Sequence, residues 1–137
     1  MLKKISLSFV FALFVNFNYS QNPLGKAPNK PDEKGMSVND YTLHIGVSGK
    51  PILVVLEADW CVLCKKLKPL LDEIAIERKD KVELLHINTV DNPMINDYFE
   101  VDGLPIMLLY KTGKMVFTHQ GLMSKTELLA NIDACLR

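Results

Sequence analysis

Hydrophobic and polar positions along this chain follow two different periods, and the switches between them mark out the elements. Ile52-Leu53-Val54-Val55-Leu56 is an unbroken apolar run rich in β-branched residues, the pattern of a strand covered on both faces. Over residues 61–79 apolar side chains recur at Leu63, Leu67, Leu70, Leu71, Ile74 and Ile76, while Lys65, Lys66, Lys68, Asp72, Glu73 and Glu77 fill the gaps. That spacing predicts an amphipathic helix, kinked where Pro69 removes a ladder bond. Residues 82–87 read as a second strand. Asn92-Pro93 opens a short helix to about Phe99, with Pro93 suited to its first turn. Residues 106–110 and 115–118 flank Lys111-Thr112-Gly113-Lys114 and read as a hairpin. Ser124 caps a last helix over residues 125–136, and Glu127 completes a Ser-x-x-Glu capping box. Residues 38–47 fit either a short helix or a short strand. Ser48-Gly49-Lys50-Pro51, a helix stop leading into a strand, favours the helix.

The order is therefore helix, strand, helix, strand, helix, strand, strand, helix. Strands joined through helices pair in parallel by right-handed crossovers, and the hairpin adds an antiparallel edge. The expected fold class is α/β: a mixed sheet with helices on both faces.

The N-terminal segment follows neither period. Lys3 and Lys4 precede a mostly apolar stretch over residues 5–15, and Asn18-Tyr19-Ser20 follows. This is the layout of a secretory signal peptide over residues 1–20, with cleavage expected after Ser20; an uncleaved anchor is the alternative. The apolar part is shorter than the roughly 20 residues that span a bilayer. Residues 21–37 carry Pro23, Pro28, Pro31, Gly25, Gly35 and several lysines, and read as a flexible tether before a domain over residues 38–137. Export places the chain in a periplasmic or secreted, bacterial setting.

Composition narrows the function by exclusion. The formal net charge is zero, which favours neither nucleic acid nor an acidic membrane surface, and 48% hydrophobic residues suffice for an ordinary core. Phosphate-loop, dinucleotide and HExxH motifs are absent from the sequence. The three cysteines are too few for a disulfide-stapled scaffold and fit one redox pair plus one spare thiol, Cys135, expected to be buried and inert in the last helix.

The chemistry concentrates in Trp60-Cys61-Val62-Leu63-Cys64-Lys65. A thiol at a helix N-terminus meets unpaired backbone N–H groups and the positive end of the helix dipole, which favour the thiolate. The thiolate is the form that attacks disulfides. Cys61, at the helix edge where access is expected to be best, is the candidate attacking thiol; Cys64, one turn on, is the candidate resolving thiol. A structural disulfide or half of a metal site are the competing readings, the latter needing two further ligands that His44, His86, His119 and Cys135 do not supply at ligand spacing.

Ala58-Asp59-Trp60-Cys61-Val62-Leu63-Cys64-Lys65, Pro69, Asp91-Asn92-Pro93, Gly103-Leu104-Pro105 and Gly121 together resemble the thioredoxin superfamily over residues 38–137. With Gly49-Lys50-Pro51 as lead-in, the chain is similar to the C-terminal thioredoxin-like domain of the transmembrane reductase DsbD and its single-domain relatives. The resemblance implies a thioredoxin-like fold and protein thiol–disulfide exchange without cofactor or metal. It also implies disulfide-containing protein substrates, a membrane electron donor of the DsbD or CcdA type, and a monomer. Pro105 resembles the family's cis-proline, whose preceding residue, Leu104, contacts substrate, and Trp60 resembles a cover beside Cys61. Reductase is the expected direction; an oxidase or isomerase on the same scaffold, or a non-catalytic peptide-binding module, are the alternatives.

One departure stands out. Many relatives carry a buried acid in the central strand where this chain has Val55, and Lys68 stands where the DsbD-like domain has another. Glu57, two residues after Val55, projects from the same strand face and is the candidate proton relay; a solvated strand-end residue is the alternative. His86, on the neighbouring strand, is expected to lend at most mild electrostatic support.

Overall fold

The computed structural model describes residues 37–137; the expected signal segment and nearly all of the expected tether lie outside them. Eight elements follow in the order anticipated: α1 (Val38–Val47), β1 (Ile52–Glu57), α2 (Val62–Glu77), β2 (Glu83–Asn88), α3 (Pro93–Tyr98), β3 (Ile106–Lys111), β4 (Lys114–Gln120) and α4 (Lys125–Leu136). The strands form one sheet in the order β2-β1-β3-β4. β1 pairs in parallel with β2 and antiparallel with β3, and β3 pairs antiparallel with β4.

The uninterrupted apolar run explains why β1 is central. Alternate residues of a strand face opposite sides. Leu53 and Val55 pack with Leu67, Leu71 and Ile74 of α2 and with Leu128 and Ile132 of α4. Ile52, Val54 and Leu56 pack with Tyr41 and Ile45 of α1 and with Ile95 of α3. On that second side Tyr41 also meets Phe99 edge-on at 5.4 Å. Both layers are therefore anchored on the same short strand.

Helix α2 runs through Pro69 without ending, and buries Cys64, Leu67, Leu71 and Ile74, a narrow stripe at helical spacing. Leu63 and Ile76, expected on the apolar face, are exposed because the helix turns them off that stripe. α4 is tied to α2 by Lys125, which bonds Glu73 at 2.7 Å and also Glu77. Arg78 closes the same seam by donating to both carboxylate oxygens of Asp133, each at 3.1 Å.

Caps set the helix starts. Ser124 and Glu127 form the expected reciprocal box at α4, which holds the Glu127 carboxyl below the usual carboxylate range. Ser37 and Asp40 form a second such box at α1. In the hairpin, Thr112 and Gly113 both have positive φ, 48° and 76°, the backbone of a tight two-residue connection whose twist matches its strands.

Candidate active site

The β1 strand ends at Glu57, and the loop Ala58-Asp59-Trp60 carries the chain to the start of α2. Cys61 is the N-cap of that helix. Its N–H donates to the Ala58 carbonyl at 3.0 Å, and its carbonyl accepts from Lys65 N–H at 3.2 Å. Its sulfur accepts the Cys64 backbone N–H at 3.1 Å, doing what a serine or aspartate oxygen does at other helix starts. Cys61 and Cys64 are joined as a disulfide, with Cα atoms 5.3 Å apart.

The expected difference in access between the two cysteines is absent in this oxidised state. Cys61 is 4% exposed and Cys64 5%, and both are enclosed with Ala58 while Leu104 packs against them. What separates the sulfurs is the helix terminus. Only Cys61 Sγ receives a backbone N–H of the first turn, and that bond is worth most when the sulfur is a thiolate. No acidic residue occupies the first turn of α2 to oppose it.

Trp60 is 69% exposed, so it is a surface residue and not a core aromatic. Val62 beside it is exposed as well. Pro105 is buried, its bond to Leu104 is cis, and its carbonyl accepts from Gly121 N–H at 2.8 Å. The end of the Gln120 side chain lies against Gly103: a Cβ there would stand 2.2 Å from Gln120 Nε2, which itself reaches Asp102 at 3.3 Å.

A cleft of about 370 Å³ opens beside the pair, lined by Glu57, Ala58, Asp59, Cys64, Lys65 and Lys68. Glu57 and Cys64 therefore share one cavity. Val55 is fully buried among Leu67, Leu71 and Met107 and has no access to it. Glu57 is 25% exposed and stands 3.4 Å from Nδ1 of His86. Register explains the meeting: His86 is the parallel partner of Val55, so it shares a sheet face with Val55 and Glu57. The Glu57 carbonyl accepts from both the N–H and the hydroxyl of Thr89, at 2.8 and 3.2 Å, which anchors the strand end. Asn88 donates to Asp59 at 3.3 Å and pins the loop before Trp60. Thr89 and Asn88 carry no motif, and only a correct β1–β2 register would have pointed to them. Cys135 is buried in the layer beneath α4, away from this site.

The Thioredoxin family model matches residues 34–134. Thioredoxin from Acidithiobacillus ferridurans is 39% identical over 101 residues, 74% of this chain and 94% of that protein. Thioredoxin 1 from Synechococcus elongatus is 34% identical over 99 residues, 71% of this chain and 92% of its own length. Thioredoxin Y1, chloroplastic, from Arabidopsis thaliana is 27% identical over 110 residues, 80% of this chain and 64% of its own.

Proposed function

The chain belongs to the thioredoxin family and is a protein-disulfide reductase built on the Cys61–Cys64 pair, and from that premise we propose that it is an exported member acting as a monomer outside the cytoplasm. The basic and apolar layout of residues 1–20 supports export, and the DsbD-like Gly49-Lys50-Pro51 and Ala58-to-Lys65 segments support regeneration by a membrane donor of the DsbD or CcdA type. The observation that carries the mechanism is the backbone N–H of Cys64 on Cys61 Sγ. Reduced, Cys61 attacks a substrate disulfide as the thiolate, and Cys64 then attacks the mixed disulfide. Exposed Trp60 and the Leu104–Pro105 turn flank the pair and present the surface on which a disulfide-containing peptide docks.

Glu57 takes the proton that Cys64 must lose. Its support is the shared cleft, which brings a carboxylate to the resolving thiol where Val55 brings none. A Glu57→Gln variant is expected to slow substrate release across about pH 6 to 9, and an unchanged profile removes Glu57 from the mechanism.

Trapping tests the whole reading. Cys64→Ser should accumulate a covalent mixed disulfide with a disulfide-bonded protein, and Cys61→Ser should not. Titration of the pair against glutathione sets the direction: a strongly oxidising potential would replace the reductase by an oxidase. Mass spectrometry of the chain recovered from a periplasmic fraction tests export and cleavage after Ser20.

A further inference from the structure

Among the described residues His86 Nδ1 is a buried nitrogen with no hydrogen bond. It nevertheless stands 3.4 Å from Glu57 Oε1, within ion-pair reach but not aligned as a hydrogen bond. A bare ring nitrogen facing a carboxylate is unfavourable, since both are acceptors; a proton between them makes the contact favourable. The pair also faces in two directions. Glu57 opens on the cleft that contains Cys64, and His86 is 21% exposed on the outer strand β2.

We propose that Glu57 and His86 hold one proton between them and form a two-group relay, in which Glu57 exchanges that proton with Cys64 and His86 positions the carboxylate and passes the proton to water. The proposal rests on the reading of Glu57 given above and adds His86 as a positioning residue that acts through it. The other charged groups at this place are Lys65 and Lys68 from α2 and Asp59 from the loop. Lys68 lies 3.7 Å from Asp72 on its own helix, and Asp59 accepts from Asn88 at 3.3 Å. Both therefore have partners already, while the buried Nδ1 of His86 has no hydrogen bond and stands 3.4 Å from Glu57.

In the resolving step the Cys64 S–H proton moves to the Glu57 carboxylate. Cys64 Sγ then attacks Cys61 Sγ, forming the Cys61–Cys64 bond. The bond from Cys61 to the substrate sulfur breaks, and its electron pair leaves with that sulfur, which takes a proton from water. The substrate disulfide has gained two electrons and the dithiol has lost them. Because the pair already holds one proton, that proton first leaves from the imidazole to solvent, and the Cys64 proton on Glu57 then takes its place between the carboxylate and Nδ1 of His86. Reduction of the pair by a donor runs the same transfers in reverse.

The test is a single-turnover measurement on the full chain, with a disulfide-bonded reporter peptide, of the attack and release steps from about pH 5 to 9. Wild type should show an inflection in the release rate with pH. His86→Gln should abolish that inflection and slow release about tenfold at neutral pH, leaving attack by Cys61 unchanged. Combining it with Glu57→Gln should add nothing beyond Glu57→Gln alone, because the two groups act in series. A His86→Gln profile identical to wild type, or additive effects of the two substitutions, overturns the relay. If wild type itself releases no reduced peptide, the reductase reading falls and takes the relay with it; a working wild type with an unmoved profile removes the relay alone. Should His86→Gln fold poorly, 15N NMR of the His86 ring in wild type decides. Its ring 15N shifts at a fixed neutral pH should differ between disulfide and dithiol states, and identical shifts overturn the proposal.

Discussion

The disulfide has two unlike flanks. On one, Trp60, Val62 and Leu104 present apolar surface around the cysteines, with Trp60 and Val62 exposed. On the other, Glu57, Asp59, Lys65 and Lys68 line a cleft, with His86 behind Glu57. The first flank suits a chain that docks by burying apolar area and by backbone contact. The second suits proton transfer, which needs a titratable group within reach of Cys64 and a route to water. On the function proposed above, the difference would separate binding from acid–base chemistry at a site only a few residues wide, so that each could be perturbed alone.

The largest effect should come from moving the carboxylate. Val55→Asp places a charge at a fully buried position among Leu67, Leu71 and Met107. It should cost about 3 kcal/mol in denaturant-measured stability at neutral pH, with the loss easing as the pH falls and the acid becomes neutral. If this substitution also restores release in a Glu57→Gln background, the cleft is not needed for proton transfer and the contrast between flanks weakens.

On the docking flank, Trp60→Ala should raise KM for a protein disulfide about tenfold while leaving the pH profile of release in place. Its denaturation midpoint should hardly move, because the ring is mostly exposed already. A changed pH profile would show that the flanks are coupled.

A control away from both flanks is Arg78→Met. The hydrogen bonds from Arg78 hold the Asp133 carboxyl below its usual range. A depressed carboxylate contributes stability that is present above the unfolded-state value, about 3.9, and is lost as the pH falls through the folded value. Unfolding curves of variant and wild type should differ at neutral pH and converge in acid, with exchange rates equal throughout. The smallest effect should follow from Gly103→Ala. The new methyl displaces the flexible end of Gln120 and costs about 0.5 kcal/mol, and Gln120→Ala should relieve it.

Local signals were legible wherever one element carried its own reason. The β1 run, the capping box of Ser124 and Glu127, the Pro93 helix start and the dithiol at the beginning of α2 each depend on neighbours within a few residues. The Ser37–Asp40 box is equally local, but it opens residues 38–47, whose pattern alone fits a helix or a strand. Ile76 and Leu63 fit the helical period yet are exposed, because an apolar residue counts toward that period whether or not it falls on the stripe that meets the sheet.

By itself, then, the sequence determined the α/β order, the central strand and the two sulfurs at a helix N-terminus, since hydrophobic period, capping and the helix dipole act over one or two turns of chain. Tertiary structure alone decided that both sulfurs are equally enclosed when oxidised, that Leu104 closes over them and that Glu57 meets His86 beside a cleft shared with Cys64. Those contacts depend on the parallel register of β1 on β2 and on the turn after α3. Register is set by the packing of whole sheet faces, and a one-residue slip would turn His86 away from Glu57 to the opposite face.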